Sequence, residues 1–464
     1  MSTSKVPTPS ARDTTASNTT ASNTTSSNTT ASNTTASALC NYLDASPSPF
    51  HAVASSAAIL TEAGFSQAHE DEPAPTDGRF FACRGGSLIA WIDDHQEADP
   101  AQLARPFRVV AAHTDSPNLR IKPRPDHVKA GWQMLGVEVY GGPLLNSWLD
   151  RDLGLSGRAV IRGEAGTVTT LFIIAEPWLR VSQLAVHLDR DSVRDGLKLN
   201  PARHLVPHWG TGDEPGDFAR ALADHLDVPP EDLLTWEAMT HDLTPARVIG
   251  RGADLVASAR LDNLASCHAA TRALVAATTA AADMATPPTP AIALFDHEEV
   301  GSTSSSGAQS TFLTGWLERI VAARGGSRED YLRSMAGTVI ASADMTHATH
   351  PNYAERHDAL HPVQINAGPV VKVNAQARYA TDASAAATFV LACEQAQVPM
   401  QTYLNRTDLP CGSTVGPMVA AATGASTVDV GAATLSMHSA REVCGVDDHA
   451  AYLKTLNAFL TPQG

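Results

Sequence analysis

No stretch of this 464-residue chain is apolar for long: runs such as residues 109–112 and 171–175 are far too short to cross a bilayer. The opening MSTSKVPTPSARD lacks the apolar core of a secretory signal. Positive charge is scarce, with 33 Lys and Arg against 49 Asp and Glu and a formal net charge of −16. That balance repels nucleic-acid phosphates and anionic membranes, and no basic stripe offsets it, so neither is expected as a partner. The six cysteines (Cys40, Cys83, Cys267, Cys393, Cys411 and Cys444) show no CxxC spacing. Without an export signal they read as reduced thiols of a cytoplasmic protein. What is present suits a globular chain: 43% hydrophobic and 18% charged residues, with length for more than one domain.

Residues 14–37 repeat the unit TTASN with a single change at Ser26. The tract has no large apolar side chain to offset the entropy of ordering, so residues 1–38 are expected to be a disordered, low-complexity tail. Beyond it, short apolar strand-like runs (107–112, 254–259, 291–295, 338–342, 426–430) alternate with helix-like stretches (264–282, 311–323, 383–397). That rhythm predicts an α/β domain with a buried, mainly parallel sheet, spanning 39–125 and 248–464. Residues 126–247 break the rhythm with closely spaced strand candidates (135–140, 158–161, 167–174), glycine turns and a polar, Pro-rich stretch. They are expected to form an inserted β-rich domain.

Ligands of open α/β sheets bind beyond the carboxyl ends of the strands. Four strand candidates here run into metal-type side chains: His113-Thr114-Asp115, Asp262-Asn263, Asp296-His297-Glu298-Glu299 and Asp344. His438 follows a fifth in LSMHS. Each alone has an ordinary explanation: a loop histidine, acids at a helix start, or Asp262 and Asn263 capping the next helix. Together they match the demand of a pair of divalent ions, which need one bridging carboxylate plus a histidine and a carboxylate each. His113, Asp344, Glu299, His438 and a bridging Asp262 meet that demand with nothing left over. Mixed nitrogen and oxygen donors suit zinc, while cobalt and manganese also fit. Asp115 is placed to accept the second ring N–H of His113, and Glu298 is left as a general base for water. The reaction class is metal-assisted hydrolysis.

These same residues resemble the aspartyl aminopeptidase family of co-catalytic zinc aminopeptidases. The shared strings run almost end to end after the tail: LDASPSPFHAV, AAHTDSPNLRIKP, WLDRDLGLSGR, LAVHLDR, LDNLAS, DHEEVGS, DMTHATHPNY, GPVVKVNAQARYATD, DLPCGSTVGP and LSMHSARE. The resemblance implies a zinc-exopeptidase-like catalytic domain with two divalent ions per subunit. One would be held by His113, Asp262 and Asp344, the other by Asp262, Glu299 and His438, with Glu298 as base. It also implies that the inserted domain pairs subunits, that dimers build a closed dodecamer, and that His187 reaches a neighbour's site to hold the substrate. The expected reaction is removal of N-terminal residues from peptides, with Lys372 pairing an acidic (Asp or Glu) first side chain.

His347, His350 and Tyr353 follow Asp344 closely and are pocket candidates, His350 being taken as substrate-binding. Strand alternation points His297 away from the ions. Cys411 has no paired histidine motif, so a small residue in a tight loop is preferred to a thiol nucleophile. Two rival functions use the same residues. A two-metal carboxypeptidase or N-acyl amino acid deacylase would capture a carboxylate rather than an amine. An inactive, shell-forming protein would have no reason to keep Glu298.

Overall fold

A computed structural model describes residues 21–94, 103–279 and 286–463, with side chains left aside at 21–31 and 191–193. Three sheets organise them. The largest has nine strands in the order Ser66–Gln67, Gly78–Arg84, Ser87–Asp93, Thr289–Phe295, Phe107–His113, Val339–Ala343, Ser426–Gly431, Val370–Val373 and Gln401–Leu404. The four strands from Thr289–Phe295 to Ser426–Gly431 run parallel, with antiparallel pairings toward both edges. These are the runs read from the sequence, and their continuous apolar character reflects burial on both faces.

Alternation along the strands feeds two cores. Val110, Ala112, Ile292, Leu294 and Ala341 pack with the helices Leu261–Ala277 and Val446–Leu460. Val109, Ala111, Ala291, Ala293 and Ile340 pack on the opposite face with Phe312, Trp316 and Ile320 of Phe312–Ala323. The sequence placed the end of one helix at residue 282; the described helix closes at Ala277, and 280–285 lie outside the described residues.

Two expectations change. The strand Leu255–Ser258, taken as a member of the main sheet, belongs to a separate five-stranded sheet, where it pairs antiparallel with Glu442–Gly445. Asp262 therefore reaches the site from outside the main sheet. The tail also orders sooner than its composition indicated, for a helix spans Ala21–Ala45. Ala36, Leu39 and Leu43 of that helix are fully buried in the first core, and this anchored end carries the helix back into the repeat. The remainder of the tail, 1–20, lies outside the described residues.

The insertion is a closed six-stranded barrel: Leu233–Asp242, Asn118–Lys129, Trp132–Tyr140, His208–Thr211, Gly166–Arg180 and Asp152–Gly163. Its strands begin eight residues before the expected boundary of 126, because β structure continues directly out of the His113 loop. Leu119, Leu135, Leu155, Phe172 and Phe218 fill its interior. No helix among the described residues is long and apolar enough to cross a membrane.

Candidate metal centre

Each ligand candidate is held by its own element. His113 is the last residue of its strand; its Nδ1 bonds the backbone O of Asp115 at 3.0 Å, which leaves Nε2 facing inward. Asp262 opens a helix, and its N–H donates to Glu442 Oε2 at 2.9 Å. Asp344 follows the strand Val339–Ala343 and donates its N–H to Val430 O at 2.8 Å. Glu298 and Glu299 lie in the short 3-10 turn Glu298–Val300 after Thr289–Phe295. His438 lies in a loop, its N–H donating to Glu442 Oε1 at 2.7 Å.

Around Asp262 the geometry divides into halves. His113 Nε2 lies 3.4 Å from Asp262 Oδ1 and 3.9 Å from Asp344 Oδ2. His438 Nε2 lies 3.5 Å from Asp262 Oδ2 and 3.3 Å from Glu299 Oε1. The donor atoms of His113, Asp262 and Asp344, and likewise those of Asp262, Glu299 and His438, fall within 4.8 Å of one another. Asp262 Oδ1 and Glu299 Oε1 are buried without a hydrogen-bond partner. Buried carboxylate oxygens left bare are costly unless a cation takes them, and nitrogen and oxygen donors at these spacings fit zinc. Glu298 Oε2 stands 4.0 Å from His113 Nε2, beside both halves and in neither.

The electrostatics point the same way. Burial works against charge on His113 and His438, yet the carboxylates around them override it: His113 is raised well above its ordinary value, and His438 to about 10. Burial pushes Glu298 up to about 8 and Asp344 to about 6; neighbouring carboxylates add, while His113 opposes both shifts and Lys372 also opposes that of Asp344.

The carboxylate of Asp115 does something other than expected. His113 Nδ1 is 3.5 Å from Asp115 Oδ1 and bonds its backbone O instead. The carboxylate accepts the N–H groups of Glu298 and Glu299, each at 3.1 Å, and the Tyr140 hydroxyl at 2.6 Å. Two adjacent N–H groups of a tight turn make a better-matched fork for a carboxylate than one ring nitrogen.

A cavity of about 380 Å³ opens over the centre, lined by all five ligand candidates, Glu298, Lys372, His347, Tyr379, Tyr403, Gly412 and Met418 among others. Lys372 is 2% exposed, with Nζ 3.1 Å from Met345 O and 3.7 Å from Asp344 Oδ1. His297 turns away and pairs with Ser304 Oγ at 2.8 Å. His350 does not join the cavity lining: its N–H donates to His357 Nε2 and its Nδ1 accepts the Asn352 N–H, each at 3.1 Å. Tyr353 is exposed outside the cavity lining, as is His187 on the barrel's loop. Cys411 sits behind the cavity rather than in its lining.

Two contributors went unread in the sequence. Glu442 lies inside the LSMHSARE string, but nothing local says that its carboxylate would span the backbones of Asp262 and His438. Tyr140 ends a barrel strand and meets Asp115 only through the tertiary fold.

Comparison with known proteins shows the family. The family model described as Aminopeptidase I zinc metalloprotease (M18) matches residues 42–460. A protein of Streptomyces coelicolor named "Probable M18 family aminopeptidase 2" is 51% identical over 91% of this chain and 97% of its own length. One of the same name from Mycobacterium tuberculosis is 51% identical over 92% and 98%. Among solved structures, that of the Ape4 and Nbr1 complex superposes with a TM-score of 0.88 at 33% identity, covering 94% of this chain and 86% of that one.

Proposed function

This chain belongs to the M18 family of zinc aminopeptidases, and from that membership we propose a two-ion centre acting on peptides with an acidic first residue. The observation that carries the reading is the split of the Asp262 carboxylate, one oxygen toward His113 and the other toward His438. His113, Asp262 and Asp344 would hold one ion; Asp262, Glu299 and His438 would hold the other.

Bound there, two divalent ions would polarise the scissile carbonyl and lower the pKa of the attacking water. Glu298 takes the proton from that water and returns it to the departing amine nitrogen. Asp115 keeps Glu298 aimed by accepting its backbone N–H. Lys372, buried in the cavity wall, would pair with the side-chain carboxylate of an N-terminal Asp or Glu. Such a charge is costly to bury and is best answered by an opposite one.

The barrel supports self-association in the same reading. Leu184, Val186 and Leu188 stand 55%, 54% and 75% exposed on the loop that carries His187, and Val168, Leu171 and Ile173 are exposed on a barrel strand. Apolar side chains so grouped suit a second copy. His187 would then reach a neighbour's site, and a dodecamer is the assembly the family resemblance implies. His350 has no part in this reading.

Hydrolysis of a panel of N-terminal aminoacyl substrates, with chelation and then zinc, cobalt or manganese add-back, tests the proposal. Metal-restored cleavage favouring Asp and Glu is expected. Preference for Leu or Met would overturn the Lys372 assignment, and cleavage only of N-acyl amino acids would overturn the reaction itself.

A further inference from the structure

One barrel segment, residues 140–147, touches the metal centre's supports: Tyr140 meets Asp115, which serves both halves, and the contacts of Gly141 to Ser147 gather on the Glu299–His438 half. The Tyr140 hydroxyl donates to Asp115 Oδ2 at 2.6 Å, the same oxygen that accepts the Glu299 N–H at 3.1 Å. Gly141, at φ +70°, lies flat against Glu299; a Cβ there would stand 3.2 Å from Glu299 Cβ and 3.4 Å from its Oε2. Gly142 O accepts from His438 Nδ1 at 2.9 Å, which fixes the ring with Nε2 inward. Leu144 N–H donates to His438 O at 2.9 Å, and Ser147 Oγ accepts the Ala440 N–H at 2.9 Å.

The other half is held from within the catalytic domain. His113 leans on Asp115 O and Asp344 on Val430 O. Those side chains are only 2% and 8% exposed, against 30% for His438. Left to its loop, His438 would be the most mobile of the five ligands.

We propose that the barrel segment 140–147 is a positioning device for the Glu299–His438 half-site, so that docking of the barrel sets the affinity of that ion and not of its neighbour. The inference rests on the two-ion reading above. A carbonyl acceptor on the second nitrogen of a ligand histidine fixes its tautomer and raises its basicity. Loss of such outer partners typically costs about 10- to 100-fold in metal affinity. A structural consequence follows: the inserted domain is part of the metal centre as well as a surface for assembly.

The test titrates the metal-free full chain with zinc against a chromophoric chelator, in the wild type and in Gly141→Ala and Ser147→Ala. The wild type should take two equivalents of unequal affinity. Each variant should weaken one of them, by about 10- to 100-fold, and leave the other unchanged, with metal-free melting temperatures close to the wild type. Ser147→Ala removes only one half-buried hydroxyl, which accepts the Ala440 N–H and donates to Leu144 O, so it retains the fold even if Gly141→Ala does not. Equal weakening of both equivalents, or of neither, would overturn the proposal. A wild type that takes a single equivalent would instead overturn the two-ion reading on which it stands.

Discussion

Asp115 Oδ1 accepts the backbone N–H of Glu298 at 3.1 Å, so the carboxylate beside His113 also holds the turn that carries Glu298. Asp115→Asn replaces one acceptor oxygen by an NH2 group, which must face an N–H or the Tyr140 hydroxyl. Turnover should fall by about 10- to 100-fold, and the unsatisfied donor should lower stability by about 1–3 kcal/mol. Steady-state kinetics and denaturant unfolding check the two effects separately.

Lys372 is the buried cation of the cavity. Lys372→Gln should reduce kcat/KM for Asp and Glu substrates about 10- to 100-fold more than for Ala or Leu substrates, the value of a charge-assisted contact. A uniform loss across the panel would assign Lys372 to Asp344, its 3.7 Å neighbour, instead of to the substrate.

Histidines buried neutral should each withdraw stability from the metal-free protein in acid, against the raised carboxyls of the centre, which work the other way. Burial holds His449 down to about 4 and His241 to about 3, Arg260 and His51 adding to the effect on His241. An unfolded histidine takes its proton near pH 6.5 and the folded His449 only near 4. Between those values the unfolded state binds more protons, so stability is full above pH 6.5 and lost as pH falls toward 4. For His449 the loss amounts to about 3 kcal/mol at most. Unfolding in chelator across pH 4–7 isolates this share as the stability difference between wild type and His449→Gln, which should shrink as pH falls from 6.5 toward 4.

Much of this centre was legible before any coordinates. Strands ending in His113, Glu299 and Asp344 were visible because buried parallel strands are short apolar runs with abrupt polar ends. The membership of the Leu255–Ser258 strand was not, since an apolar tetrad does not reveal which sheet it joins. Nor were the barrel's closure and the partners of Asp115: hydrogen bonds such as those from Tyr140 and Glu298 join residues distant in sequence. The helix through the repeat was hidden for a related reason. It is anchored by Leu39 and Leu43, beyond the repeat itself.

Zinc should stabilise the fold as well as switch on hydrolysis, because it would take buried oxygens such as Asp262 Oδ1 and Glu299 Oε1, which have no hydrogen-bond partner. At a hundredfold excess over Kd, a single site adds about 2.7 kcal/mol. A chelated sample should therefore melt lower than a zinc-loaded one, and a coincident melting temperature would contradict the ligand set.

The most direct test of the central claim compares Glu298→Gln with the wild type, both zinc-loaded, in hydrolysis of an Asp-initiated peptide with metal content measured on the same samples. Zinc content should be equal and the rate should fall by about 100- to 10,000-fold. Equal zinc with an undiminished rate would contradict Glu298 as the base, and with it the account of this site.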